Sequence, residues 1–233
     1  MLKVENISTG YGKKQVLFDV SFEVSQGEIV LLAGSNGSGK STLLKAIYAI
    51  VPQWNNGQIY FEGERITRNP TTALLKKGLF YIPQKNNVFE DLTVKENLEM
   101  AGLALDKKIL QQRMQNALSV FKILVPHLYR TPMKLSGGER QLLTLAMATL
   151  HQPKMILIDE PFTGLSPQSI TFVAENLMAL NQQGGITLLV AEHRIKEFVR
   201  IASKVISLKL GKVFNEALIT PDFDIKMLNE IFV

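Results

Sequence analysis

The sequence predicts an α/β protein built on a mainly parallel β-sheet core, with an antiparallel β layer beside it and a helical subdomain inserted into it. Three observations predict this. Short apolar runs with β-branched residues, "EIVLLAG", "GLFYIP", "KMILID" and "ITLLVA", recur between longer stretches, as strands buried on both faces do. The earliest segments differ. "LKVENIS" and "VSFEVSQG" alternate apolar and polar residues in part, and "NNGQIYFEGERI" reads as a turn entering a strand. From about residue 87 to 152 the pattern turns helical. One domain over 1–233 is expected, with an α/β core from 1–86 and 153–233 and a helical subdomain from 87–152.

The helices follow from their caps and periods. Thr93 and Glu96 form a T-x-x-E capping box that opens "VKENLEMAGL". "KKILQQRMQNALSVFKIL" has an amphipathic helical period, and "GERQLLTLAMATLH" is a third helix. Ser166 as N-cap and Pro167 at the first helical position start "PQSITFVAENLMALNQQ". "SKVISLKLGKV" reads as a hairpin turning near Gly211, and "FDIKMLNEIFV" as a short helix.

Composition removes several function classes. The chain of 233 residues has no cysteine, which excludes disulfides, thiol catalysis and thiolate metal sites. No apolar run approaches the roughly 20 residues of a membrane span, and "MLKVENISTGYG" lacks the apolar stretch of a signal peptide. A cytosolic protein is expected. The net charge of +5 is scattered in short groups such as "GERITR" and "LLKKG", so a solvated surface is expected and no nucleic-acid partner.

The chemistry starts at "GSNGSGKST", directly after the apolar run "EIVLLA". Gly34, Ser35, Asn36, Gly37, Ser38, Gly39, Lys40 and Ser41 fit G-x-x-x-x-G-K-[ST], and Thr42 follows. Between a strand and a helix, this pattern is a phosphate-binding loop. Its glycines let successive N–H groups turn toward phosphate oxygens, and the helix adds its positive end. Lys40 would reach the β- and γ-phosphates, and the Ser41 hydroxyl would ligate Mg²⁺. Asp159 ends the apolar run "MILID", where a carboxylate can hold Mg²⁺. Glu160, next in the chain, is the candidate for polarising the attacking water. A P-loop NTPase core with Mg²⁺ is the expectation so far.

"LSGGERQ" narrows it. Leu135, Ser136, Gly137, Gly138 and Glu139 make a second small, donor-rich helix start, which is another anion site. The motif could be a plain helix cap. The other reading, which the need for a second phosphate site favours, is a dimer in which this loop closes on the nucleotide held by a partner subunit.

With these motifs the chain resembles the ATP-binding subunit of ABC transporters, nearly end to end, and so the RecA-like type of P-loop NTPase. That resemblance implies two subunits with two ATP molecules sandwiched between one protomer's phosphate loop and the other's "LSGGE" loop. It also implies roles for single residues. Tyr11, in "STGYGKKQV", stands where the family stacks an aromatic ring on adenine, with Val16 on the same side. Gln84, in "YIPQKNNVF", matches the family's glutamine that touches Mg²⁺ or the attacking water. His193, in "LLVAEHR", matches the switch histidine that bridges γ-phosphate and water. One position departs: Ser166 stands where the family often has an aspartate in a loop crossing the dimer interface.

"VFEDLTVKENL" and "EPFTGLSP" resemble the subgroup that serves branched-chain amino-acid importers, with the lipopolysaccharide-export ATPase related. The resemblance implies an ATP-hydrolysing subunit, as a homodimer or paired with a sister ATPase. It would sit on the inner face of the membrane beneath multi-span permease subunits. The groove beside Gln84, with Asn86 to Glu96 on one wall, would grip a permease helix. A soluble, non-transport ABC ATPase is the rival. The long coiled-coil insertion and second cassette of such relatives are not seen, nor is the N-K-x-D motif of GTPases.

Overall fold

A computed structural model of the chain describes residues 1–85, 87–220 and 223. Strands β1 (Leu2–Tyr11) and β2 (Lys14–Val24) form an antiparallel hairpin that turns at Gly12, whose φ is +56°. Their register shifts between Val4 and Ile7, where Asn6 adopts a φ of +51°. That bulge is why the apolar alternation of "LKVENIS" is only partial.

After β2 the chain enters β3 (Ile29–Ala33), the phosphate-binding loop and α1 (Lys40–Ile47). Strand β4 (Gln58–Phe61) returns to β1, and the short β5 (Glu64–Arg65) completes the antiparallel sheet in the order β2-β1-β4-β5. Helix α2 (Thr71–Lys77), which the sequence reading did not single out, has no side-chain N-cap and ends at the left-handed Gly78.

Strand β6 (Leu79–Ile82) precedes the helical insertion: α3 (Val94–Ala101), α4 (Lys107–Val120) and α5 (Gly137–Thr149). The Thr93–Glu96 capping box forms as read, with both reciprocal hydrogen bonds. The expected helix over "KKILQQRMQNALSVFKIL" breaks earlier than its period implied. Helix α4 stops at Val120, Phe121 swings to ψ +57°, and 3₁₀ turns follow over Lys122–His127 and Pro132–Lys134. Pro126 has no N–H to continue an α-helix, and Phe121 is buried in the core below.

The chain then forms β7 (Met155–Asp159), α6 (Pro167–Gly184), β8 (Thr187–Glu192), α7 (Ile195–Phe198), and the hairpin β9 (Lys204–Lys209) and β10 (Lys212–Leu218). Ser166 caps α6 by accepting the Ser169 N–H at 3.3 Å. Gly211 turns the last hairpin with a φ of +77°. The expected helix "FDIKMLNEIFV" lies outside the described residues, apart from Phe223.

The large sheet runs β10-β9-β3-β8-β7-β6, parallel throughout except for β10. Successive strand residues serve two different cores. Leu31, Ile156, Ile158, Leu188 and Val190 pack with Leu142 and Leu145 of α5 and Val173 of α6. Val30, Leu32, Leu157, Leu189 and Ala191 pack on the other face with Leu43 of α1 and with Ile7, Leu17 and Phe61 of the antiparallel sheet. This period-2 split explains why the strands read as unbroken apolar runs. Burying each such Leu or Ile side chain contributes about 1.5–3 kcal/mol.

The topology also places the chemistry. Ala33 pairs with Glu192, Asp159 with Ala191 and Ile82 with Ile158 across neighbouring parallel strands. The loops that leave β3, β6, β7 and β8 therefore share one edge of the sheet, where α/β proteins hold ligands.

Candidate functional site

The loop from Gly34 to Gly39 needs its glycines for conformation and space. Gly37 and Gly39 have φ values of +81° and +108°. A Cβ on Gly39 would sit 2.6 Å from Leu17 Cδ2, and one on Gly34 would sit 2.5 Å from the Leu208 carbonyl oxygen. Lys40, almost fully buried, donates from Nζ to the carbonyls of Gly34 at 2.8 Å and Ser35 at 3.1 Å. Its side chain thus folds back across the loop. Burial lowers its pKa, while the carboxylates of Glu160, Asp159 and Glu192 work in the opposite direction. Ser35, Asn36 and Gly37 are exposed at the rim, Ser38 is buried and Thr42 is buried in α1.

Ser41 and Asp159 meet. The Ser41 hydroxyl donates to Asp159 Oδ1 at 2.8 Å, and the Tyr81 hydroxyl reaches Oδ2 at 3.4 Å. Burial pushes the Asp159 carboxyl up, against the bond from Ser41. Burial, with Asp159 next in weight, also pushes the Tyr81 phenol up. A hydroxyl beside a buried carboxylate is an oxygen donor set that fits a hard divalent cation.

Glu160 has a φ of +47°, a left-handed backbone that a glutamate adopts only under constraint. Its N–H donates to the Ala191 carbonyl at 2.8 Å. Its Oε2 accepts from Gln84 Nε2 at 2.6 Å and from the Thr163 hydroxyl at 2.9 Å. His193 Nδ1 lies 3.9 Å from the same oxygen. Gln84, Glu160 and His193, spread over more than a hundred residues of sequence, therefore gather around one carboxylate oxygen. Thr163 and Glu192 were missed in the sequence. Each lies within three residues of a predicted site residue but is a single residue of a common type, with no motif to mark it.

Tyr11 ends β1 with half of its surface exposed, an open ring face suited to stacking. Val16 on β2 borders the phosphate loop, 3.6 Å from where a Gly39 Cβ would be.

Leu135 is buried and anchors the second loop, while Ser136 and Gly137 are exposed at the start of α5. Ser136 and Glu139 form a capping box that the sequence reading did not name: Glu139 N–H donates to Ser136 Oγ at 3.2 Å, and Ser136 N–H to Glu139 Oε2 at 2.7 Å. His127 Nε2 stands 3.2 Å from Glu139 Oε1. Burial opposes ionisation of Glu139, but the two Ser136 bonds and His127 outweigh it and hold the carboxyl below its usual range. Gly138 packs on Ser169 of α6, with its notional Cβ 3.2 Å from Ser169 Cβ. Among the described residues no hydrogen bond or ion pair joins 135–139 to the phosphate loop. The first site gathers within one chain, and the second loop stands apart from it.

Fold and site together define a nucleotide hydrolase of the P-loop class, with helices α3 to α5 lying between the Gln84 loop and the strand that ends at Asp159. The chain belongs to the ABC transporter family, whose model matches residues 17–163. It is 38% identical over 213 residues to the high-affinity branched-chain amino acid transport ATP-binding protein BraG of Pseudomonas aeruginosa, covering 91% of each chain. It is 34% identical to the lipopolysaccharide export system ATP-binding protein LptB of Haemophilus influenzae, covering 91% of this chain and 88% of that protein. It superposes with a TM-score of 0.80 on a dimeric post-hydrolysis ATP-binding cassette bound to ADP and Pi, at 26% identity over 94% of this chain and 99% of that one. The chain is thus an ATPase subunit of the ABC transporter family. Among the described residues no helix is long and apolar enough to cross a membrane.

Proposed function

We propose that this chain is the ATP-hydrolysing motor of a membrane importer for branched-chain amino acids. The observation that carries the motor reading is the cluster of Gln84, Glu160 and His193 at the mouth of the phosphate loop. The likeness to BraG supports the cargo.

Tyr11 stacks on the adenine, with Val16 beside it. The N–H groups of Gly34 to Thr42 and the Lys40 ammonium bind the phosphates. Ser41, Asp159 and Gln84 would hold Mg²⁺, which when bound neutralises charge on the phosphate oxygens. Glu160 orients and polarises the attacking water. His193, with Nδ1 3.9 Å from Glu160 Oε2, can donate to a γ-phosphate oxygen or accept from water. Gln84 holds Glu160 by a neutral amide and can leave it without stranding a charge.

Residues 87–152 act as a helical subdomain on the 1–86 and 153–233 core, and Gln84 sits at the junction. Beside it lies a groove of about 520 Å³ lined by Gln84, Asn87, Val88, Glu90, Arg140 and Thr163. Asn97 fixes one wall by donating to the carbonyls of Phe89, Leu92 and Thr93 and accepting the Phe89 N–H. A cytoplasmic helix of a permease subunit fits this groove. The exposed Ser136–Gly137 start of α5 faces the ATP of a second ATPase subunit, identical or a sister. Ser166 gives the interface loop a neutral cap where relatives often carry a charge. The assembly works on the inner face of the membrane.

Reconstitution with its membrane subunits in proteoliposomes tests the cargo. ATP-dependent uptake of leucine, isoleucine or valine is expected. Release of lipid or lipopolysaccharide instead would move the chain to the export branch.

A further inference from the structure

The carboxylate of Glu192 does a task that neither the sequence motifs nor the proposed mechanism assigns. It is fully buried at the end of β8. Its Oε2 accepts the N–H of Phe162 at 3.2 Å, in the loop that carries Glu160. Its Oε1 accepts the N–H of His193 at 2.8 Å and of Arg194 at 3.1 Å, in the loop that carries the switch histidine. One carboxylate thus clamps the backbones of both loops, one with each oxygen. The His193 ring lies beside it, with Nδ1 3.1 Å from Glu192 Oε1. Among the described residues that ring nitrogen has no hydrogen-bond partner, so the backbone bonds do the holding.

We infer that Glu192 is a positioning residue for hydrolysis: it sets the distance between Glu160 and His193 by bridging their loops. The inference rests on the proposed roles of Glu160 and His193. Three features carry it. A buried carboxylate is costly unless its lone pairs are filled, and here backbone N–H groups fill them on both oxygens. The Glu160 N–H bond to the Ala191 carbonyl makes a second tie between the same two segments, one residue away. The strained backbone of Glu160, at φ +47°, also needs neighbours that hold it in place. A geometric clamp of this kind acts on rate, because a shift near 1 Å between reacting groups can cost about 100-fold.

The chemistry dictates the variants. In Glu192→Gln one acceptor oxygen becomes an NH₂ donor facing an N–H, so one loop is released. Glu192→Asp keeps both oxygens but is one methylene too short to span the gap. Both are compared with Glu160→Gln, His193→Ala and the double variant Glu192→Gln/His193→Ala. ATP affinity and thermal unfolding are recorded for every protein. The expected result is a kcat lowered about 10- to 100-fold by Glu192→Gln, with ATP affinity within about twofold of wild type. The loss should be much smaller in the His193→Ala background, because the clamp then has no partner to position. If Glu192→Gln does not fold, Glu192→Asp is read by the same criteria. An unchanged kcat, an equal loss in both backgrounds, or a parallel loss of ATP affinity overturns the inference. If Glu160→Gln and His193→Ala themselves leave kcat intact, the proposed hydrolytic site fails first and takes the clamp with it.

Discussion

Gln84 Nε2 donates to Glu160 Oε2 across 2.6 Å, joining the loop that leads into the helical insertion to the loop that follows β7. A movement of the insertion would reach Glu160 through this bond without passing through the core. Gln84→Ala removes it while leaving the Thr163 bond in place. The expected outcome is a kcat lowered about tenfold with little change in ATP affinity, and a loss of stimulation by the membrane subunits. Steady-state ATPase assays with and without those subunits check it.

Lys40 is buried and held by two carbonyls of its own loop, so its charge is already in place for a phosphate. Lys40→Ala should weaken ATP binding at least about 100-fold, the scale of a lost charge-assisted contact of about 3 kcal/mol. The fold should survive. Nucleotide titration by fluorescence, with circular dichroism as the fold control, decides the point.

Gly39→Ala meets a double obstacle: a φ of +108° and a Cβ 2.6 Å from Leu17 Cδ2. We expect a loss of about 1–3 kcal/mol in urea unfolding together with loss of ATP binding. Gly37→Ala, with open space around its Cβ but a φ of +81°, should cost less stability.

The Ser136–Glu139 capping box gives a pH signature. The folded pKa of Glu139 lies below its unfolded value near 4.3, so its stabilisation is complete above that value. It disappears as the pH falls through the depressed folded pKa. Wild type should therefore exceed Glu139→Gln in unfolding temperature at pH 7, and the gap should close in acid below about pH 4. Ser136→Ala should cost about 1 kcal/mol at pH 7.

Much of this is legible in the sequence. The phosphate loop announces itself because its chemistry requires a fixed local spacing of glycines, lysine and hydroxyl. Thr93, Glu96, Ser166 and Pro167 announce helix starts for the same reason: capping acts over three residues. Nonlocal contacts leave no such trace. Glu192 reaches Phe162 only because β7 and β8 are neighbours in the sheet, and Thr163, three residues after Glu160, is a single threonine with no motif to mark it. Ser136 and Glu139 were read for their place in an anion-binding loop, which hid their capping box. The break after α4 was hidden in another way: Pro126 acts five residues beyond Phe121, and the burial of that ring, a tertiary effect, stops the helix early.

The account stands or falls on what this ATPase works with. Tagged Glu160→Gln protein, loaded with ATP and Mg²⁺, should be used to capture partners from native membranes dissolved in mild detergent. The captured set should contain a second ATP-binding subunit, identical or a sister, and a multi-span membrane protein. Capture of ribosomes, nucleic acid or soluble proteins alone would contradict the transporter motor and leave an ATPase that acts elsewhere.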